Sequence, residues 1–264
     1  MMLGDADFVS GYPHRFFVTG VGRSGTKSVA ALFNRLPNVV CFHEPAEGPD
    51  MRALVRARMS ESEAEEYLRL YREPFILANA RMYEYEKGYR VHTIGECNSM
   101  LRFHAPALRK VYPGVPIMQL VRDGRDVVRS LMARHHYQDG CKGAHYLAPF
   151  EDDPWFEEWG ALTRFEKLCW YWQDGVTRLL DLGLPIVQLR RISSDFEFFT
   201  EKLAKFVGVE VPQPEWRRQM NHRSNATTRH VFPAWRDWDA ETTRSFWRIC
   251  EPAMVRAGYQ GSQP

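Results

Sequence analysis

The sequence has few features of a secreted, metal-binding or membrane protein. Its five cysteines are odd in number and widely spaced, without a CxxC pair or a neighbouring histidine pattern. This spacing argues against a disulfide framework and structural zinc, so we expect a reducing compartment and no metal. No stretch approaches the roughly 18 apolar residues of a membrane-spanning helix, and no basic start followed by an apolar run opens the chain. We therefore expect a cytoplasmic protein without a membrane span.

Lysine is scarce. The 35 basic residues include only seven lysines, and 33 acidic residues leave a formal net charge of +2. This balance excludes the strongly basic character of a typical nucleic-acid-binding protein, so no nucleic acid is expected as a partner. Arginine binds phosphate-like groups with a planar fork, but a GC-rich genome would produce the same bias. The bias alone assigns no function.

Hydrophobic patterns predict one α/β domain over residues 1–264, with a central parallel sheet flanked by helices and a flexible segment at 1–14. Residues 15–19 have the composition of a short buried strand, and a glycine-rich turn follows at 20–25. A helix begins next, because apolar residues recur at 29, 32, 33 and 36, and a second strand is predicted at 39–42. This order is a βαβ unit, whose ligand site lies at the carboxyl ends of its strands.

The rest of the chain continues the alternation. We predict a charged surface helix over 50–72, a strand at 89–95, a helix at 105–112, a buried strand at 117–121 and a helix starting near 126. Residues 138–159 lack periodicity and form an irregular, aromatic-rich connection that is longer than most. A helix at 161–182, a strand at 185–189, a helix capped by Ser193 or Ser194, and a final helix from 239 complete the domain.

The segment GVGRSGTKS at residues 20–28 has the composition of an anion-binding loop. Glycines permit a tight turn and close approach of backbone amides, while Arg23, Lys27 and the following helix dipole would surround an anion. A glycine-rich turn without a ligand is the alternative. ATP and GTP sites place lysine directly after the second glycine, whereas Thr26 stands there and the lysine comes one residue later. A P-loop kinase or NTPase that uses Mg-ATP, with Asp123 at a strand end, is thus the weaker hypothesis.

A second segment, IMQLVRDGRDVVRSLM at 117–132, places Arg122 at a strand end and Ser130 eight positions later on a helix. Together with Arg23-Ser24-Gly25-Thr26, this pair resembles the sulfotransferases that use 3′-phosphoadenosine 5′-phosphosulfate (PAPS), in their bacterial, carbohydrate and protein-tyrosine branches. The resemblance covers most of the chain. It implies an α/β fold with a P-loop-like phosphosulfate-binding turn, PAPS as the donor, PAP as the product and no metal.

The resemblance also implies roles for residues. The first loop would hold the 5′-phosphosulfate through Arg23, Ser24, Gly25, Thr26, Lys27 and Ser28. Arg122 and Ser130 would bind the 3′-phosphate that distinguishes PAPS from ATP. The alternative pairs Arg122 with Asp126 and leaves Ser130 idle on its helix. Arg223, in the basic and aromatic segment 221–238, is a candidate for a loop that closes over the 3′-phosphate, and a plain surface loop is the alternative there.

Sulfuryl transfer to a hydroxyl or an amine needs a base for the acceptor proton and cations near the leaving oxygen. Arg23 and Lys27 suit the cationic role. Related sulfotransferases often carry a glutamate shortly after the second strand, which implies Glu44 as the base with His43 as the alternate. The cytosolic small-molecule branch uses a histidine on a later strand, for which His92 and His104 are only rough positional candidates.

The chain departs from the family pattern at two places. Cys97 stands where many carbohydrate-type members have a lysine, so either Lys27 substitutes or the site uses one cation fewer. Residues 190–193 do not match the family's late motif, so adenine contacts are not transferred. The acceptor, a small molecule or a glycan-type molecule, is not identified, although residues 137–159 are the best candidate for its pocket. The oligomeric state is equally open.

Overall fold

The computed structural model describes residues 14–45, 60–140, 147–221 and 232–259. The predicted flexible segment lies outside the described residues except for His14, which already belongs to the first strand. Arg223, residues 50–59 of the predicted charged helix and residues 141–146 of the long connection also lie outside them.

One parallel sheet of five strands forms the centre of the domain, in the order β2-β3-β1-β4-β5. The strands are β1 (His14–Thr19), β2 (Val39–Phe42), β3 (Thr93–Cys97), β4 (Ile117–Val121) and β5 (Ile186–Gln188). The predicted fold class is therefore confirmed. The strand expected at 89–95 begins later than predicted, because 89–92 lead into the sheet rather than pair within it.

Helices cover both faces of the sheet. They are α1 (Thr26–Phe33), α2 (Glu61–Tyr67), α3 (Glu73–Lys87), α4 (Ala105–Val111), α5 (Gly124–Met132), α6 (Arg164–Asp181), α7 (Leu189–Ser194), α8 (Phe196–Phe199), α9 (Gln213–Asn221) and α10 (Ala240–Arg256). A π-helical turn, Leu68–Arg72, joins α2 to α3, another at Thr200–Ala204 follows α8, and 3₁₀ turns lie at Ser99–Phe103 and Trp235–Asp237. Within the described part of the chain, no helix is long and apolar enough to cross a membrane.

The alternation of side chains along β1 divides the core between the two faces. Phe16 packs in the cluster that contains Val29 and Phe33 of α1, whereas Phe17 packs in the cluster that contains Leu108 of α4. The predicted apolar face of α1 is thus confirmed. The sheet is buried on both sides, so its carboxyl edge is where polar side chains from successive loops can meet.

The charged segment is more than a solvated cover, which corrects the prediction for 50–72. The helix continues through the π turn to the end of α3, and Arg72 is 2% exposed. Arg72 forms a two-pronged ion pair with buried Glu96 of β3, with 3.0 Å between Arg72 Nε and Glu96 Oε2. Residue pattern alone could not reveal this, because the partner carboxylate is distant in sequence and an isolated charged residue predicts a surface.

Of two predicted helix starts, the structure confirms one and contradicts the other. The helix predicted from 239 is confirmed as α10, and Asp239 caps it by accepting a hydrogen bond from Thr242 N at 2.7 Å. The predicted cap at Ser193 or Ser194 is wrong, because both residues end α7 and Asp195 caps α8 instead. Ser194 Oγ donates to Arg190 O at 3.0 Å, within the preceding turn. The hydroxyl is therefore used inside a helix that the sequence did not indicate.

Candidate active site

The loop between β1 and α1 has the backbone of an anion cradle. A Cβ atom on Gly20 would lie 2.2 Å from Leu120 O, so only glycine allows this close approach of β1 and β4. Gly25, at φ +102°, precedes the first turn of α1 and offers no capping side chain, and that turn carries no acidic residue. The helix therefore begins with amides and a positive dipole end directed at the loop, an arrangement that attracts anions.

The two predicted phosphate-binding motifs meet at this loop. Arg23 Nε donates a hydrogen bond of 2.9 Å to Ser130 Oγ on α5. Arg122, at the end of β4, donates from Nη1 to Arg23 O at 3.4 Å and lies 3.5 Å from Asp126 Oδ2. The alternative is thus half correct: Arg122 does approach Asp126, in an exposed pair of low energetic weight, but Ser130 is engaged with Arg23.

The site carries an excess of positive charge. Burial lowers the pKa of Arg23, the charges of Arg134 and Arg122 lower it further, and the charge of Glu44 raises it. Three guanidinium groups therefore share one region of the described structure with the Glu44 carboxylate, and Asp126 lies beside Arg122. Such repulsion is relieved when an anion binds between the cations.

Arg134 was missed by the sequence analysis. It lies just beyond α5, four residues after Ser130, a spacing that on a helix places two side chains on one face. Its Nε is buried and has no hydrogen-bond partner among the described residues. The only signal in the sequence was this spacing from Ser130.

Arg164 of α6 holds the segment that carries Arg134. Its guanidinium donates to Arg134 O at 2.5 Å, to His136 O at 2.9 Å and to Met132 O at 3.1 Å. These carbonyls follow the end of α5, where backbone acceptors lack partners inside the helix. Arg164 thereby fixes the turn that presents Arg134 to Arg23.

The two candidate bases directly follow β2 and make hydrogen bonds to residues at or just beyond the end of β3. His43 Nδ1 is 2.8 Å from Cys97 O, and because a carbonyl only accepts, Nδ1 carries the hydrogen and Nε2 is the acceptor of the neutral ring. Glu44 has a left-handed backbone at φ +45°, and its Oε1 accepts a hydrogen bond of 2.5 Å from Ser99 Oγ. Both side chains can thus accept a proton at the carboxyl edge of the sheet.

The other predicted residues of the loop, from 24 to 28, differ in exposure and in hydrogen bonding. Lys27 is exposed on the first turn of α1, whereas Thr26 and Ser24 are buried. Ser24 N donates to Val21 O at 3.1 Å, and its buried Oγ lacks a partner in the described part of the chain. Ser28 Oγ accepts from Gln219 Nε2 at 3.4 Å. An unsatisfied hydroxyl beneath an amide-lined turn is consistent with a loop that binds an oxyanion.

Two histidines and one cysteine are excluded from the site. His92 is exposed at the amino end of β3, the opposite edge of the sheet, and His104 is 1% exposed against Tyr67. Burial, and then the charge of Arg72, lower the pKa of His104 to about 4. Cys97 is fully buried beside Cys41, with 3.4 Å between their sulfur atoms, and burial raises the pKa of its thiol well above the usual value. Cys97 therefore supplies no charge.

The aromatic residues near both ends of the long connection pack onto the protein. Tyr137 donates from its hydroxyl to Leu147 O at 2.8 Å, and Trp159 contacts both the Tyr137 ring and Trp170 of α6 edge-on. Trp235 belongs to the other aromatic segment, 221–238, and also packs onto the protein: it lies under Arg125, with 4.2 Å between the guanidinium carbon and the ring centre. These contacts anchor the aromatic rings, and the assignment of 137–159 to the acceptor pocket stays a prediction.

No group of three or more histidine, cysteine, aspartate or glutamate side chains that could hold a metal ion occurs within the described ranges. Asp123, the strand-end carboxylate that a magnesium site would need, is engaged by Arg125, with 2.9 Å from Nε to Oδ1 and 2.6 Å from Nη2 to Oδ2. It also caps α5.

Comparison with known proteins points to one family. Residues 13–213 match the model of a sulfotransferase family. Similar solved structures include a sulfotransferase from Mycobacterium avium, at 12% identity over 97% of this chain and 80% of that chain, with a TM-score of 0.50. Others are a sulfotransferase from Alicyclobacillus acidocaldarius (17%, 94% and 95%, TM-score 0.46) and a mouse sulfotransferase complexed with PAP (15%, 96% and 87%, TM-score 0.48). At such identities these likenesses concern the fold alone. None of the curated proteins compared with the chain matches it.

Proposed function

The chain belongs to the sulfotransferase family, and on this premise we propose that it transfers a sulfuryl group from PAPS to a hydroxyl or an amine of an acceptor and releases PAP. The acceptor class, a small molecule or a glycan-type molecule, and a cytoplasmic location are parts of the same proposal.

The observation that carries the proposal is the contact between Arg23 Nε and Ser130 Oγ. It brings the amide-lined loop after β1 and the arginine at the end of β4 into one site, with Arg122 bonded to the backbone of Arg23. A ligand with two anionic groups could present one to the loop and the other to Arg122. A nucleotide with a 5′-phosphosulfate and a separate 3′-phosphate has this chemistry.

The residues present fit such a donor, in which the sulfuryl group is bonded to an oxygen of the 5′-phosphate. This oxygen leaves with PAP when the sulfuryl group is transferred. In this proposal Arg23 and the first amides of α1 would stabilise the negative charge that grows on that oxygen. Arg122 and Ser130 would bind the 3′-phosphate, and Arg134 adds a third cation to the same region. Glu44, with His43 as the alternate, would accept the proton of the acceptor.

A kinase or NTPase that uses Mg-ATP is the competing function. It would need a strand-end carboxylate for the metal and a lysine directly after the second glycine of the loop. Asp123 has that position, but both of its oxygens are bonded to Arg125. Lys27 is one residue late and exposed. These observations favour the sulfotransferase.

Turnover tests the proposal. The purified protein is incubated with radiolabelled PAPS, without metal, and with a panel that contains a phenol, a monosaccharide and an alkyl amine. We expect PAP to form together with a labelled acceptor, and an Arg23→Ala variant to be strongly impaired. The proposal would be contradicted if no compound of the panel led to PAP formation while the protein hydrolysed ATP, or phosphorylated the same compounds, in a magnesium-dependent reaction.

A further inference from the structure

The Glu44 side chain is held by a hydroxyl from the neighbouring strand end. Ser99 Oγ donates to Glu44 Oε1 at 2.5 Å, although 55 residues separate the two positions. Ser99 is 5% exposed, whereas Glu44 is exposed. The contact therefore links a fixed, buried donor to a carboxylate at the surface of the site.

Ser99 is itself fixed from two directions. Asn98 Oδ1 accepts from Met100 N at 2.8 Å and so caps the 3₁₀ turn that begins at Ser99. Arg102 Nη1 donates to Ser99 O at 2.5 Å, and Arg102 is 1% exposed, stacked over the rings of Phe103 and Tyr171 at 4.1 and 5.1 Å. The backbone that carries the Ser99 hydroxyl is thus anchored in the core.

Glu44 has weaker local determinants. Its φ of +45° lies in the left-handed region, which few non-glycine residues adopt and which persists where the surroundings hold it. A glutamate side chain has three rotatable bonds, so an exposed one samples several rotamers. One short hydrogen bond to Oε1 restricts these rotamers and leaves Oε2 to accept a proton.

From these contacts we propose that Ser99 is a positioning residue, whose hydroxyl holds Glu44 Oε1 so that Oε2 is directed at the acceptor. The inference rests on the proposed function, because it requires Glu44 to act as the base. In this role Ser99 acts through Glu44 rather than on the reacting atoms. No motif in the sequence pointed to it.

The experiment uses Ser99→Ala, Ser99→Thr, Glu44→Gln and the Ser99→Ala/Glu44→Gln double variant. The probes are PAP for binding, and PAPS with the panel acceptor that the wild-type protein uses fastest for turnover. We expect Ser99→Ala to lower kcat by about 10- to 100-fold, the scale of a misplaced catalytic group, and to leave the Kd for PAP unchanged. Ser99→Thr, which keeps the donor, should recover most of kcat. Thr19→Val is the matched control, because Thr19 Oγ1 donates to Asn98 O at 3.0 Å in the same region without reaching Glu44.

The double variant separates positioning from a general structural effect. If Ser99 acts through Glu44, adding Ser99→Ala to Glu44→Gln changes kcat very little, because the carboxylate that it positions is already gone. An equal fractional loss in both backgrounds would overturn the inference, as would unchanged kcat in Ser99→Ala beside an impaired Glu44→Gln. If Ser99→Ala fails to fold, Ser99→Thr decides: wild-type kcat supports the inference, and a loss as large as that of Glu44→Gln overturns it. Failure of the wild-type protein to turn over PAPS, or full activity of Glu44→Gln, would instead refute the function or the base on which the inference depends.

Discussion

Arg23 Nε donates a 2.9 Å hydrogen bond to Ser130 Oγ, and this contact joins two segments that lie 107 residues apart. Ser130 is 3% exposed and sits on α5, so it fixes the Arg23 guanidinium from below the loop. The two predicted anion-binding motifs are therefore in direct contact.

Ser130→Ala should weaken PAP binding, because it removes a possible phosphate donor and releases Arg23. We expect a loss of about 0.5 to 1.5 kcal/mol, the usual net value of one hydrogen bond, measured by isothermal titration calorimetry. Ser194→Ala, which removes an exposed hydroxyl bonded to Arg190 O, is the control. An unchanged Kd for PAP in Ser130→Ala would separate this serine from the site.

Arg122→Ala should weaken PAP binding by about 1.5 to 3 kcal/mol, the range for hydrogen bonds to charged groups. Because Arg122 is assigned to the 3′-phosphate, its loss should have little effect on the binding of AMP, which lacks that group. Arg129→Ala is a matched control on α5, since Arg129 Nε donates to Phe232 O at 3.2 Å instead. Equal losses for PAP and AMP would show that Arg122 does not read the 3′-phosphate.

The patterns that predicted correctly are local ones. Residues 117–121 are a strand because the run is short, apolar and bounded by proline, glycine and a charged turn. The turn after β1 needs glycine because a Cβ atom on Gly20 would collide with β4 and one on Gly25 would collide with Leu189. For this strand and this turn, the information lies within a few residues of the feature. The meeting of Arg122 with the first loop is not local in this sense, and it was implied only by the resemblance to a family.

What the sequence did not reveal depends on partners distant along the chain. Ser99 matters because β2 and β3 are neighbours and Glu44 is within its reach, and Arg134 matters because Arg164 holds its backbone. Arg72 resembled a surface residue until its buried partner Glu96 was known. Tertiary pairing of polar groups is decided by topology, which no periodicity encodes.

Glu44→Gln should retain PAP binding and lose about 10² to 10⁴ in kcat, the usual contribution of a general base. The amide keeps the size of the side chain but does not accept the proton of the acceptor. Steady-state rates with PAPS and the best panel acceptor provide the measurement. Survival of activity in Glu44→Gln together with its loss in His43→Ala would assign the base to His43.

His104 should make the protein less stable in acid. Its pKa is about 4 in the folded chain and 6.5 ordinarily, so between these values the unfolded chain binds a proton that the folded chain does not. The free energy of unfolding therefore falls as the pH drops from about 6.5 to 4, by about 3 kcal/mol from this group. Urea denaturation at several pH values should show a smaller fall for His104→Phe, which keeps the ring against Tyr67 but does not titrate. An identical pH dependence in both proteins would mean that His104 is not buried in its neutral form.

Calorimetric titration of the wild-type protein with PAP and, separately, with Mg-ATP tests the central claim most directly. We predict metal-independent binding of PAP that is at least about tenfold tighter than that of Mg-ATP, since a difference of 1.4 kcal/mol for the 3′-phosphate corresponds to that factor. Tight binding of Mg-ATP with no measurable binding of PAP would contradict it.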